Sequence, residues 1–176
     1  MATKEDASSQ NVVIKKPQHN KRYKEFSEIE GVPEWLLRQM DKLGIFRPTP
    51  VQAGTIPEAM KGYDVIGAAR TGQGKTLCFA VPILASLAED PGAFRGLVLT
   101  PTRELALQIG QQFQILAESI KIRILTVIGG VDLAEQQRQL AAKPHVLIAT
   151  PGRLAQIIRD GSCAAHIASL RRLQFL

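Results

Sequence analysis

Four short apolar runs, at residues 65–69, 97–100, 122–128 and 146–149, are each followed by a longer segment whose apolar residues recur at helical spacing. Those segments are 75–87, 103–117, 133–140 and 152–158. The runs are rich in Val, Ile and Leu without clean polar alternation, which is the pattern of strands buried on both faces. Strand and helix repeated in this way restrict the chain to an α/β fold. The expectation is a three-layer domain with a mostly parallel sheet, whose ligands gather at the carboxyl ends of the strands. Ahead of this series, Trp35, Leu36, Leu37, Met40 and Leu43 mark a helix over 34–43, entered through Pro33 and stopped by Gly44. A second short helix is expected over 51–60, interrupted or restarted near Pro57.

At 176 residues the chain has the size of one domain with a substantial core. Its apolar stretches are broken well short of the roughly 18 residues of a membrane span, and its start has no signal-peptide core. A cytosolic or nuclear protein without membrane contact is expected. Cys78 and Cys163 lie too far apart to suggest a zinc site or a disulfide framework, and His19, His145 and His166 share no metal spacing.

The formal charge is +6, and its placement matters more than its size. Lys4, Lys15, Lys16, Lys21, Arg22 and Lys24 against Glu5 and Asp6 give residues 1–24 a charge of +4, leaving +2 for the body over 25–176. The first segment reads as a basic, disordered tail, able to attract a polyanion, to act in nuclear import or merely to solubilise. Any nucleic-acid site in the body must therefore be local.

Between the runs at 65–69 and 77–81 stand Ala69, Arg70, Thr71, Gly72, Gln73, Gly74, Lys75 and Thr76. Strand, glycine-rich turn and helix are the setting of a phosphate-cradling loop. Gly72 and Gly74 permit the tight path that turns amide N–H groups toward phosphate. Lys75 is then placed for the β and γ phosphates and Thr76 for a bound Mg2+, at a helix start whose dipole favours anions. Ala69 departs from the general loop pattern, which begins with Gly.

A second feature recurs. The run at 97–100 leads into Pro101, Thr102 and Arg103, and the run at 146–149 into Thr150, Pro151, Gly152 and Arg153. Thr and Pro suit helix starts, so both segments read as helix N-termini at strand ends. An Arg in the first turn opposes the helix dipole. Each Arg is either neutralised by an acid such as Glu104 or kept to hold backbone phosphates of a nucleic-acid strand. Gly129 and Gly130, after the run at 122–128, are either a plain turn or part of the same edge.

These residues together resemble the DEAD-box family of ATP-dependent RNA helicases. Phe26, then Gly44 to Gln52 with Arg47 within it, is similar to the family's adenine-recognition motif; the loop from Ala69 matches the family's own, which starts with Ala. Pro101, Thr102 and Arg103, then Gly129 and Gly130, then Thr150, Pro151, Gly152 and Arg153 match its next motifs in order. The resemblance implies a RecA-like P-loop domain binding ATP and Mg2+, with Gln52 reading the adenine edge and Phe26 stacking on the ring. It further implies that residues 101–103, 129–130 and 150–153 hold RNA by its backbone. Within the family, the surroundings of His145 and Arg153 look most like nucleolar members acting in small-subunit ribosome assembly. This implies a monomer in the nucleus or nucleolus, with ribosome-assembly proteins as partners; the cytoplasm is the alternative.

Hydrolysis wants more than a loop: a strand ending in Asp for the metal and a Glu for the attacking water. No readable strand ends in a carboxylate, and the family's acidic motif would begin just after Leu176. The chain is accordingly expected to be an incomplete helicase domain, nearly inactive alone. A GTPase reading lacks an Asn-Lys-x-Asp segment and a kinase reading lacks a lid of arginines. A module binding nucleic acid or protein, with ATP as a structural ligand, remains as the other reading.

Overall fold

The computed structural model describes residues 23–160 and 173–176. β3 (Val146–Ala149) lies between β1 (Gly96–Leu99) and β2 (Ile124–Val127), and both pairings are parallel. Leu147 stands in register with Leu97 on one side and Leu125 on the other. Successive strand residues point to opposite faces, so this register sorts the side chains into two layers.

On one face Val98, Ile124, Val146 and Ile148 join a core with α3 (Lys75–Glu89) and α4 (Arg103–Leu116), packed by Ala80, Leu84, Ala106 and Phe113. On the other, Leu97, Leu125, Val127, Leu147 and Ala149 are covered by Leu140 of α5 (Leu133–Ala141) and by Leu154 and Ile157 of α6 (Pro151–Arg159). All four residues of β3 are buried, which is why that run shows no polar alternation. The α/β fold and its parallel sheet between helical layers are therefore as the sequence indicates. α1 (Glu34–Lys42) and α2 (Pro50–Met60) extend the first core through Leu36, Met40 and Ile56. Pro33 caps α1 and Gly44 follows it at φ +74°, as the sequence pattern requires.

Two expectations are corrected. α2 runs unbroken through Pro57, although proline forfeits the bond to the carbonyl of Ala53. Fully buried Ile56 and the packing of α2 on α3 hold the helix together past that lost bond. The run at 65–69 does not form a strand: it has no ladder partner among the described residues, and Ile66 is 97% exposed. An apolar run becomes a strand only where a neighbour satisfies its backbone. The outer edge of β1 pairs instead with Phe175, whose carbonyl accepts from Leu97 N–H at 2.9 Å and whose N–H donates to Arg95 O at 3.1 Å. Nearly all of the basic tail, with His19, Cys163 and His166, lies outside the described residues. Among the described residues no helix is long and apolar enough to cross a membrane.

Candidate nucleotide site and nucleic-acid edge

Gly74 is the N-cap of α3 and lies in the left-handed region at φ +71°, with Gly72 at φ +80°. These two reversals give residues 69–76 a path that side-chain-bearing residues resist. No side chain caps α3, and while Leu77 N–H donates to Gly74 O at 3.1 Å, the N–H groups of Lys75 and Thr76 are available to an anion. Lys75 Nζ donates to the carbonyls of Ala69 at 2.7 Å and Arg70 at 3.0 Å, bridging the two ends of the loop. Thr76 is half-buried in the first helical turn.

The loop is anchored from α2. Thr49 Oγ1 donates to Gln73 O at 3.0 Å, and Gln52 Nε2 donates to Gly74 O at 2.9 Å. Gln52 Oε1 in turn accepts from Thr49 N–H at 2.8 Å. Gln52 is 2% exposed, so its amide is a bridge between helix start and loop. A carboxamide retains a second N–H and a second lone pair for a base edge. The sequence pointed to the base-reading role and missed the bridging one. Cys78 sits a turn into α3, and burial pushes its thiol pKa up, so it stays protonated and unreactive near neutrality.

A cavity of about 1270 Å³ runs from Gly72, Gly74 and Thr76 past Gln52 and Arg47 to Phe26. Phe26 is only 2% exposed and belongs to the core, so the expected stacking of a base on it lacks an open ring face. The open aromatic on the same wall is Phe46, 57% exposed.

The second edge is built around one turn. Arg103 is the first residue of α4, behind the N-cap Thr102, whose hydroxyl accepts from Leu105 N–H at 3.2 Å. Its guanidinium nitrogens lie 2.5 and 2.7 Å from where a Cβ on Gly130 would stand, and Gly130 has φ +79°. Arg153 donates through Nε to Gln136 Oε1 at 3.0 Å, through Nη1 to Gln156 Oε1 at 2.9 Å, and through Nη2 to Val131 O. Neither arginine pairs with an acid among the described residues. Neutralisation by Glu104 or another carboxylate is thus not what the structure contains.

The two Thr-Pro segments also differ. α6 starts directly at Pro151 behind Thr150, which makes no side-chain cap bond, whereas α4 starts beyond Pro101 behind Thr102. Gly152 follows Pro151 in the first turn of α6, and Gly129 precedes Gly130 at the end of β2. Gln136, which sequence reasoning missed, donates through Nε2 to Ile128 O at 2.9 Å beside that turn. Its only sequence signal is an amide in the inward row of α5 that also holds Leu140. Asp132 caps α5 by accepting from Glu135 N–H at 2.8 Å, and β1, β2 and β3 end in Leu99, Val127 and Ala149.

Residues 49–176 match the DEAD/DEAH box helicase family. The chain is 48% identical over 146 residues to the ATP-dependent RNA helicase DBP8 of Candida albicans, covering 83% of this chain and 33% of that protein. It is 46% identical over 151 residues to the probable ATP-dependent RNA helicase DDX49 of Mus musculus, covering 86% and 30%. Its fold superposes on the crystal structure of the yeast DEAD-box splicing factor Prp28 with a TM-score of 0.71 at 33% identity, over 81% of this chain and 36% of that one. The chain spans about a third of the length of these relatives.

Proposed function

The chain belongs to the DEAD/DEAH box helicase family, and on that premise we propose that it supplies the ATP site and part of the RNA-backbone site of an ATP-dependent RNA helicase. In the whole protein, RNA-stimulated ATP hydrolysis is coupled to local duplex unwinding or remodelling. The observation that carries the reading is the uncapped start of α3 behind left-handed Gly74, spanned by Lys75.

The loop fits a nucleotide phosphate chain. Its glycine path leaves room where a Cβ would stand at Gly72, its helix start offers free N–H groups, and its one lysine is bound only to carbonyls that phosphate can replace. Residues 69–75 would hold the phosphates, Thr76 the Mg2+, and Gln52 with Arg47 the base side of the cavity. Bound ATP with Mg2+ supplies a transferable γ-phosphoryl group with its charge partly neutralised. The chain's own part is to orient that group against fixed N–H donors and the Lys75 ammonium, a preorganised field that costs no reorganisation during reaction. Arg103 and Arg153, with the starts of α4 and α6 and the turn at 129–130, contact successive phosphates of an RNA strand without reading its bases.

No described strand ends in a carboxylate to hold the metal, so this chain alone binds nucleotide and turns it over poorly. The likeness to DBP8 and DDX49 supports an ATP-dependent RNA helicase; its reading as a monomer working in the nucleolus with ribosome-assembly proteins rests on the resemblance carried by the surroundings of His145 and Arg153. A fluorescent ADP analogue titrated into the purified chain tests the nucleotide site: binding is expected, with Lys75→Ala abolishing it. Robust ATP turnover by this chain that is lost in Lys75→Ala would overturn the inactivity. RNA binding unaffected by Arg103→Ala and Arg153→Ala, yet lost when residues 1–24 are deleted, would make the chain a tail-driven binding module instead.

A further inference from the structure

Gln136 is 1% exposed and shares the inward row of α5 with Leu140. A leucine there would add apolar burial without cost. An amide is tolerated in such a place only if both of its ends are satisfied. They are, and by two different parts of the proposed RNA edge. Nε2 donates to the carbonyl of Ile128, the residue before the Gly129–Gly130 turn, and Oε1 accepts from Arg153 Nε. Arg153 closes the ring by donating to Val131 O, on the far side of the same turn. The turn is thus held at both flanks by one Gln–Arg unit, with the Arg103 guanidinium laid against Gly130 between them.

We propose that Gln136 is a positioning residue of the RNA-backbone site, acting through Arg153 and the turn at 129–130 without touching RNA. This rests on the reading of that edge as RNA-binding. With Nε engaged by Gln136, Arg153 keeps N–H groups on both terminal nitrogens for phosphate, in a plane already fixed. An arginine fixed in this way binds a phosphate without paying the ordering of a free side chain. The turn and the first turn of α6, which belong to separate elements, become one rigid surface.

The test is fluorescence anisotropy of labelled single-stranded oligouridylate RNA with the full 176-residue chain across a salt series. It compares wild type, Arg103→Ala, Arg153→Ala, Gln136→Met and the double variant Gln136→Met with Arg153→Ala. Gln136→Met is expected to weaken RNA binding about tenfold, the size of one lost hydrogen bond to a charged group. Its salt slope is expected to stay that of wild type, whereas Arg153→Ala lowers the slope by about one. The double variant is expected to bind no more weakly than Arg153→Ala alone, since Gln136 acts through that arginine. Multiplying effects, or wild-type affinity in Gln136→Met, would overturn the proposal. Should Gln136→Met not fold, Gln136→Glu serves: its carboxylate captures Arg153, so weaker binding with a slope reduced by about one is expected, and wild-type binding overturns the inference. Binding insensitive to both Arg103→Ala and Arg153→Ala would instead remove the RNA reading itself, and this proposal with it.

Discussion

At position 74 two constraints meet in one residue. The backbone is left-handed, and Gln52 Nε2 occupies the place where a Cβ would stand. Gly74→Ala is therefore expected to cost about 1–2 kcal/mol for the backbone and about 1 kcal/mol for the displaced Gln52 bond. Differential scanning fluorimetry should show a melting point lower by several degrees, together with weaker binding of an ADP analogue; an unchanged melting point would mean that the loop rearranges freely. His145 shows a different kind of dependence. It is buried, its Nδ1 accepts from Arg123 N–H at 2.8 Å, and burial followed by the charge of Arg123 lowers its pKa from 6.5. A depressed folded value means that the neutral ring is favoured by folding. Its stabilisation is present above the unfolded pKa and is lost as pH falls through the folded one. Melting points measured from pH 7.5 to 5 should fall more steeply for wild type than for His145→Gln.

Among the elements, the two Thr-Pro segments look alike in sequence and cap differently. Thr102 accepts a hydrogen bond from the backbone of α4, and Thr150 accepts none from α6. Thr102→Ala is expected to cost about 1 kcal/mol and Thr150→Ala a few tenths, a difference that urea titration resolves. Equal losses would show that the two starts are equivalent after all. α2 teaches the converse lesson. Pro57 reads as a break because local rules weigh only the lost backbone bond, whereas the helix persists because buried Ile56 and the face against α3 hold it.

At the scale of the whole fold, the described residues form one sheet that separates two cores, and β3 feeds both with adjacent residues. Leu147→Ala and Ile148→Ala open cavities on opposite faces, and each is expected to cost about 2–5 kcal/mol, read as comparable drops in denaturation midpoint. Ile66→Ser should change stability by less than about 0.5 kcal/mol, because its side chain contacts solvent, while reducing self-association in light scattering. Three runs became strands and four segments became helices within a few residues of their sequence limits, because periodicity reports directly on which faces are buried. The glycine-rich turn at 69–76 and the helix-start positions of Arg103 and Arg153 were legible for a similar reason, since glycines and helix-start residues carry their conformational preferences locally. What the sequence could not determine were the partnerships between distant residues. These are the lack of a partner for residues 65–69 among the described residues, the burial of Phe26 beside exposed Phe46, the hold of Gln52 on Gly74, and the ring from Gln136 through Arg153 to the turn at 130. Each depends on which atom arrives across a gap in the chain, and only the packed tertiary structure decides that.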